Sequence, residues 1–416
     1  MVYLNFSSQR VLVLRQLIGR EVTGLGKVLI LLLAIGVFIQ LSGLLLNNDG
    51  SRYATQLYLA LFLPALLLLL RERLMPTLWR QAPAILLLLL LGWVLLYAGV
   101  HPGSDKDFWR WLKLVLLLIF YVAAVASLAH HERLLSVVLV MALIVAALFA
   151  WLTLYYQFVV IDHPLSYEAF RWVRLWELGW RGFGDLKHPI IAGLYYSIFV
   201  IVATWLLLRS DTGLWRSLLL MVAIAGLAFY VLLTFSRGSW FSLGAGGLAL
   251  LLITSSRKSY TLLGVGVALF CLAVYWFWPE LQNEQKVGVN GRELIWGGWL
   301  ARLSEFWLLG RGAGADFEFT FPTGQSFVHA HSLYLQLWYE YGVVGIGLFL
   351  ALLLSLLFKA WQCRAQPLAQ LAMGLLVLAM VAMISDVYAI FHRPSPYWAL
   401  FWFPVGILLG LKRPLS

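Results

Sequence analysis

Long apolar blocks separated by short polar breaks dominate the pattern of this chain. Blocks of about 18 or more mainly apolar residues, including Lys27 to Leu46, Ala82 to Val100, Leu134 to Val160 and Thr261 to Trp278, are long enough to cross a bilayer as helices. They lack the two-residue alternation and the roughly ten-residue length of the strands of an outer-membrane barrel. The pattern therefore predicts an all-α, polytopic integral membrane protein.

About twelve spans follow from these blocks. They lie near residues 27–46, 53–70, 82–99, 109–129, 134–161, 188–208, 217–235, 239–256, 259–278, 333–358, 368–390 and 397–411. We expect the first span to be retained, because no small-residue cleavage site follows it. The chain then divides into nine spans over residues 1–278, a loop domain over 279–332 between the ninth and tenth spans, and three spans over 333–416.

Composition and charge agree with a membrane protein and orient it. The chain is 62% hydrophobic and 12% charged, which excludes a soluble globular protein. Its net charge of +11 could indicate nucleic acid, but sixteen of the lysines and arginines and only four acids lie on the side of the two termini. The positive-inside rule therefore makes both termini cytoplasmic, and the basic excess marks orientation, not a nucleic-acid surface. Two separated cysteines, Cys271 and Cys363, are too few for a disulfide framework or a metal site.

The first long external segment, 162–187, predicts a helix along the membrane surface over 165–181. Trp172, Trp176 and Trp180 recur every four residues and share one helical face, with charged side chains turned elsewhere. Such a tryptophan face is typical of an interfacial aromatic belt, although a plain loop is the alternative. The segment that follows brings Arg181 and Lys187 to the same side of the membrane.

The second long external segment, 279–332, holds the densest set of polar residues. Asn290 is a plausible N-cap for a helix that begins near Arg292. Farther on, the glycine-rich turn from Gly310 to Gly314, which contains Arg311, could bring backbone donors close to a ligand. Glycine-rich turns are common at membrane interfaces, so this turn is weak support by itself.

Two histidines, His329 and His331, stand where the loop re-enters the membrane. A neutral imidazole at this boundary can act as a general base, and an interfacial anchor is the ordinary alternative. The His-x-His spacing also permits metal ligation, but no nearby group of acids or cysteines completes a site. Glu340 and Asp316 remain candidates for a covalent carboxylate nucleophile.

A further arginine, Arg237, lies in Ser236-Arg237-Gly238 between two spans that are almost without a loop. Its guanidinium faces the external interface, where it could hold a phosphate through two parallel hydrogen bonds or snorkel to lipid headgroups. Arg181, Arg237, Arg292 and Arg311 would then share one membrane face with a candidate base.

At these residues the chain resembles the bacterial O-antigen ligase and polymerase family of membrane glycosyltransferases. The resemblance covers about Arg181 to Gly345 and consists of three short pieces in the expected order. They are Ser236-Arg237-Gly238, Gly291-Arg292 with Trp296 and the glycine-rich turn, and His331-Ser332-Leu333-Tyr334-Leu335 with Glu340 and Gly342. The third piece more often has Asn after the histidine, where this chain has Ser332.

The resemblance implies transfer of a glycan from an undecaprenyl diphosphate carrier at the periplasmic face of a bacterial inner membrane. A ligase passes the glycan to the lipid A core oligosaccharide, and a polymerase passes it to another carrier-linked unit. Carried onto this sequence, the resemblance makes His331 the base. The diphosphate would be bound by Arg237 and Arg292, helped by Arg181 and Arg311. Secondary candidates are His329, Glu340 and Lys187. Fixed arginines could stabilise the leaving diphosphate without a metal or cofactor, and a single displacement would invert the anomeric centre.

Two other classes of function have to be weighed against this one. Twelve spans would also suit a transporter or lipid flippase, but the predicted spans hold almost no ionisable residues near the bilayer midplane and show no inverted repeat. A passive scaffold would not need several arginines and a histidine on one face. Ligase is favoured over polymerase on family analogy.

Overall fold

The computed structural model describes residues 24–47, 49–73, 75–172, 174–175, 186, 188–209, 213–288 and 291–412. These residues form a helical membrane protein in which the one sheet of the described part is a two-stranded hairpin. The predicted all-α, polytopic fold is confirmed. Within the described residues, ten helices are long and apolar enough to span a membrane.

The N-terminal part consists of helices. They are α1 (Gly24–Leu46), α2 (Gly50–Arg71), α3 (Pro76–Trp79), α4 (Ala82–Val100), α5 (Phe108–Ala129), α6 (Glu132–Val160), α7 (Tyr167–Trp172), α8 (Pro189–Leu208), α9 (Leu214–Leu233), α10 (Arg237–Thr254) and α11 (Arg257–Trp276). Of the interfacial helix predicted over 165–181, α7 covers Tyr167–Trp172, and Arg174 and Leu175 beyond it are not helical, because the N–H of Leu175 donates to the carbonyl of Leu233. Trp176, Trp180 and Arg181 lie outside the described residues.

The second half begins with a folded loop segment and ends in the last helices. These elements are α12 (Trp278–Val287), α13 (Arg292–Ala301), β1 (Phe319–Thr320), β2 (Ser326–Phe327), α14 (Leu333–Gln362), α15 (Pro367–Ser385), α16 (Pro396–Leu400) and α17 (Trp402–Gly410). The predicted N-cap Asn290 lies outside the described residues, and Gly291, in the left-handed region at φ 75°, occupies the N-cap position of α13.

Two of the twelve predicted spans form helices that are not among the ten long, apolar ones. Helix α10 is 18 residues long and opens on Arg237-Gly238-Ser239, so that its first turn is polar. The last predicted span is broken into α16 and α17, which together form a shorter apolar segment. The end of the bundle at which α10 begins and α15 ends is called here the site end.

Close packing of α10 against α15 brings distant parts of the chain together at the site end. A Cβ at Gly246 would lie 2.7 Å from the carbonyl oxygen of Gly374, so the two backbones approach where both residues are glycine. Small residues at helix contacts permit this approach within a membrane. Because the helices run in opposite directions, Asp386, just after α15, arrives beside Gly238 in the first turn of α10.

The loop segment between α11 and α14 has a small hydrophobic cluster of its own. Its buried members are Ile295, Trp299, Phe306, Ala315, Phe317 and Ala330, joined by Tyr339 from α14. A kink in α14 at Gly342, where φ is 64°, makes room for the carbonyl of Leu308, which accepts a hydrogen bond from the N–H of Val343 at 3.2 Å. The segment is therefore packed onto the end of α14 as an ordered unit.

Candidate functional site

Four arginines surround one open cavity at the site end. Arg171 lies on α7 and Arg174 just beyond it, whereas Arg237 and Arg292 are the first residues of α10 and α13. The lining is completed by Ile190, Phe235, Ser236, Gly238, Glu284 and Asp386. Two arginines predicted from separate sequence motifs, Arg237 and Arg292, thus line the same cavity.

Local geometry fixes the position of Arg237. The chain reverses between α9 and α10 within three residues, and Phe235 adopts the left-handed backbone region at φ 47°. Ser236 caps α10, because its side chain accepts a hydrogen bond from the N–H of Ser239 at 3.4 Å. The guanidinium of Arg237 is 25% exposed and donates from Nη1 to the backbone carbonyl of Glu284 at 3.2 Å. A snorkelling arginine would extend away from such contacts, so its geometry favours a site residue.

Glu284 on α12 links two of the arginines across the cavity. Its carboxylate lies 2.6 Å from Nε of Arg171 and 3.8 Å from Nη1 of Arg237. The hydroxyl of Tyr167 donates a further hydrogen bond to Oε1 of Glu284 at 2.7 Å. With 12% of its side chain exposed, Glu284 is a largely buried ionic partner.

Asp386 holds the third arginine. Nη2 of Arg292 donates to Oδ1 of Asp386 at 2.9 Å, and the side chains are 16% and 2% exposed respectively. The other carboxylate oxygen lies where a Cβ of residue 238 would stand, so Asp386 can occupy this position because residue 238 is glycine. The glycine of Ser236-Arg237-Gly238 therefore has a steric role, which is to admit the carboxylate that orients Arg292.

Positive charge exceeds negative charge in the cavity. Four guanidinium groups face two carboxylates, so the lining carries two positive charges in excess. Burial lowers the pKa of Arg174, and the charges of Arg171, Arg237 and Arg292 add to this effect. Burial also raises the pKa of Asp386, against the opposing pull of Arg292 and Arg237. A dianionic ligand would relieve the mutual repulsion of the arginines.

The candidate base, His331, has an unusual backbone and a perturbed side chain. It has a φ of 52°, in the left-handed region that a non-glycine residue seldom adopts and that is concentrated at functional sites. Burial, reinforced by the nearby charges of His329, Arg292 and His188, lowers the pKa of His331 to about 4. The imidazole is therefore neutral at physiological pH and lies within electrostatic reach of Arg292 in the cavity.

The second histidine, His329, packs between aromatic rings. Its ring stacks on Tyr388 with centroids 3.9 Å apart and meets the ring of His331 edge-on at 4.1 Å. Burial lowers the pKa of His329, and Asp316 opposes this shift. These contacts give His329 a supporting position behind His331. The described residues contain no group of three or more His, Cys, Asp or Glu that could hold a metal ion.

Glu340 is engaged in a buried hydrogen-bond network. Its Oε2 accepts from the backbone N–H of Gly314 at 2.9 Å, and its Oε1 accepts from Nε2 of Gln336 at 2.9 Å. The same Gln336 amide donates to the carbonyl of Ala315 and accepts from the N–H of Ala330, one residue before His331. Glu340 thus connects the glycine-rich turn to the loop of His331.

The glycine-rich turn does not offer its backbone donors to a ligand, and that expectation is wrong. The N–H groups of Arg311, Gly312 and Ala313 donate to the carbonyls of Tyr339, Glu340 and His101 respectively. The turn also forms a parallel bridge with Pro102 in the loop between α4 and α5. Its glycines permit this docking, since a Cβ at Gly312 would lie 2.5 Å from the carbonyl oxygen of His101.

The remaining predicted arginine of the described chain is placed elsewhere. Arg311 forms an ion pair with Glu305, is 42% exposed, and is not among the residues that line the cavity. Arg181 and Lys187 lie outside the described residues. Sequence reasoning missed Glu284 and did not assign Arg171, Arg174 or Asp386 to the site. The acidic residue that follows a predicted span, Asp386, was the signal that could have pointed to a partner for Arg292.

Comparison with known proteins finds similarity in the part of the chain that contributes several residues to this site. Residues 219–350 match a family model described as O-Antigen ligase. A curated protein named O-antigen ligase, from Pseudomonas aeruginosa, is 25% identical over 384 residues, which cover 91% of this chain and 90% of that protein. The matched range includes Arg237, Glu284, Arg292 and His331, and the longer alignment extends the similarity to most of the chain.

Proposed function

We propose, because this chain belongs to the O-antigen ligase family, that it transfers an O-antigen glycan from undecaprenyl diphosphate to the lipid A core oligosaccharide. The family gives the chain a glycan-transferring role in lipopolysaccharide synthesis. The donor, the acceptor and the residue roles that follow are our proposal, as is the location of the site at the periplasmic face of a bacterial inner membrane, with both termini cytoplasmic.

One observation carries the proposal. Arg237 and Arg292 come from separate motifs, yet both line one cavity with a positive excess of two charges. His331 is not among the residues that line this cavity; burial, with the charges of His329 and Arg292, lowers its pKa. Breaking a sugar–phosphate bond leaves a diphosphate, whose developing charge the guanidinium groups would stabilise. Arg171 and Arg174 join Arg237 and Arg292 in this role.

His331 supplies the base in the proposed mechanism. Its neutral imidazole would accept the proton of the acceptor hydroxyl as that oxygen attacks the anomeric carbon, and the bond from this carbon to the diphosphate oxygen would break. The displaced electron pair goes to the diphosphate. A single displacement of this kind inverts the anomeric centre, and the arginines provide the positive charge that a metal would otherwise provide.

A transfer assay with the purified chain tests this proposal. The full chain in lipid nanodiscs is incubated with undecaprenyl diphosphate-linked glycan and lipid A core, and the products are separated by size. Glycan attached to the core supports a ligase, and glycan extended on the carrier would instead indicate a polymerase. If neither product forms while the donor crosses the bilayer of proteoliposomes, the chain is a transporter and the proposal is wrong.

A further inference from the structure

The inward side of α12 is acidic. Among the described side chains of this helix, Glu280 and Glu284 are half-buried and the others are exposed. Residues four apart lie on the same helical face, so both carboxylates point toward the body of the protein. An amphipathic helix ordinarily turns apolar residues inward, and here the inward face carries the charge opposite to that of the cavity.

The carboxylate of Glu284 occupies the place of an anionic ligand. It contacts Arg171 at 2.6 Å and Arg237 at 3.8 Å, and it accepts a hydrogen bond from Tyr167 at 2.7 Å. Two of the arginines that would bind a phosphate are therefore already engaged by a protein carboxylate. An incoming anion has to compete with Glu284 for these guanidinium groups, because each has a limited set of donors in a fixed fork.

The helix that leads into α12 makes few contacts with the rest of the protein. The helix before it, α11, is the least covered of the ten spans, with 6% of its apolar window buried. The chain leaves α12 through Gly288, which adopts the left-handed region at φ 65°. Opening of α12 would require exchange of the Glu284 ion pairs and of the hydrogen bond from Arg237 to the Glu284 carbonyl, but it would not break a hydrophobic core.

We propose that Glu284 is a stand-in anion, which holds α12 over the arginine cavity in the empty protein and is displaced by the diphosphate of the donor. This inference rests on the proposed function, because it takes the cavity to be the diphosphate site. It implies that donor binding opens α12 and exchanges one carboxylate for the diphosphate on Arg171 and Arg237. The competition lowers the affinity for weak anions and reserves the cavity for a ligand with several negative charges.

Pyrophosphate binding tests the competition. The full chain in nanodiscs is titrated with inorganic pyrophosphate, as wild type, as Glu284→Gln and as Glu168→Gln. The last variant is a matched control, because Glu168 is an exposed acid on α7, the helix that carries Arg171. Removal of the competing carboxylate should lower the Kd at least about threefold in Glu284→Gln, while Glu168→Gln should stay near wild type.

Distance measurements test the movement in the absence of a ligand. Spin labels are placed at Leu165→Cys and Gln285→Cys, two exposed positions on either side of the Glu284 ion pairs, in a Cys271→Ser background. With Glu284 intact the label distance should be narrow, and pyrophosphate should lengthen it. Glu284→Gln should give the longer distances without pyrophosphate.

The possible results separate this inference from the proposed function. If wild type binds pyrophosphate but Glu284→Gln binds it equally or more weakly, then Glu284 merely braces the arginines and the stand-in role is wrong, while the diphosphate site stands. If the label distance of Glu284→Gln stays narrow without ligand, the proposed opening is wrong. If pyrophosphate binds neither wild type nor Glu284→Gln, the cavity is not the diphosphate site, and both proposals fail.

Discussion

Substitution of Gly238 by alanine would test the steric link between α10 and Asp386. A Cβ at this position would overlap the nearer oxygen of the Asp386 carboxylate, and even the farther oxygen, Oδ1, would be only 2.9 Å away. Carbon and oxygen atoms in ordinary contact stay about 3.5 Å apart, so the nearer carboxylate oxygen has to move by roughly 2 Å. We expect this movement to break the hydrogen bond from Arg292, which now spans 2.9 Å.

The cost follows from the strength of that bond. A hydrogen bond to a charged group contributes about 1.5 to 3 kcal/mol, and this one is largely shielded from water, since Arg292 and Asp386 are 16% and 2% exposed. Alanine regains about 0.5 to 1 kcal/mol of helix propensity relative to glycine. The net loss of roughly 1 to 2 kcal/mol in the free energy of unfolding corresponds to about a 5- to 30-fold smaller ratio of folded to unfolded protein. Donor binding should also weaken, by about tenfold for each 1.4 kcal/mol of the bond that no longer orients Arg292.

A second glycine of α10 provides the control. A Cβ at Gly244 meets nothing within 4 Å, so Gly244→Ala makes the same chemical change without the overlap. The assay measures KM for the carrier-linked donor and the thermal unfolding temperature of both variants. Asp386→Ala removes the overlapping carboxylate, and adding Gly238→Ala to it should then cost nothing more. If Gly238→Ala and Gly244→Ala behave alike, the steric role assigned to Gly238 is refuted.

Three further results are expected from variants of the candidate site and from pH. His331→Ala should insert and fold normally but lose about 10²- to 10⁴-fold in kcat, which transfer assays beside a thermal unfolding control would measure; retained activity would exclude His331 as the base. Arg237→Lys should raise KM for the donor, because an ammonium group cannot reproduce the planar pair of hydrogen bonds, and unchanged kinetics would make Arg237 a headgroup anchor. Because the pKa of His331 is lowered to about 4, the base stays neutral from pH 8 down to about pH 5. A pH profile of kcat/KM should therefore be flat over that range and fall as the pH approaches 4. A decline centred near the ordinary histidine pKa of about 6.5 would contradict this assignment.

The fold could be predicted from the sequence where the signal is local. A block of apolar residues long enough to cross a bilayer defines a helix by itself, so helices such as α4 and α5 begin and end within a residue or two of the predicted spans. The last predicted span was harder, because its apolar stretch continues across a break between α16 and α17 that hydropathy does not register. In the loop segment the start of α13 near Arg292 was predicted, but Gly291 and not Asn290 occupies its N-cap position, because the backbone there adopts a φ of 75°.

The candidate site could be predicted only in part. Arg237 and Arg292 stand out because each begins a helix and stands next to a glycine, and the structure brings them to one cavity. Their carboxylate partners could not be found in this way. Asp386 meets Gly238 because two antiparallel helices approach at Gly246 and Gly374, and this pairing of distant segments is a property of the packed bundle. Glu284 lies in a polar helix with no distinctive sequence pattern, and only its contacts with Arg171 and Arg237 identify it as a site residue.

Arg311 shows why the same local signal can have two physical outcomes. Arg292 and Arg311 are both arginines next to a glycine in the loop segment, and sequence reasoning gave them the same role. The turn that holds Arg311 bonds its own N–H groups to α14 and to the loop after α4, so its glycines serve the close approach of three backbone segments. Arg292 instead starts a helix whose first residue faces Asp386 and the cavity. A glycine beside an arginine therefore marks a constrained backbone, and only the direction in which that backbone presents the guanidinium decides whether the arginine can bind a ligand.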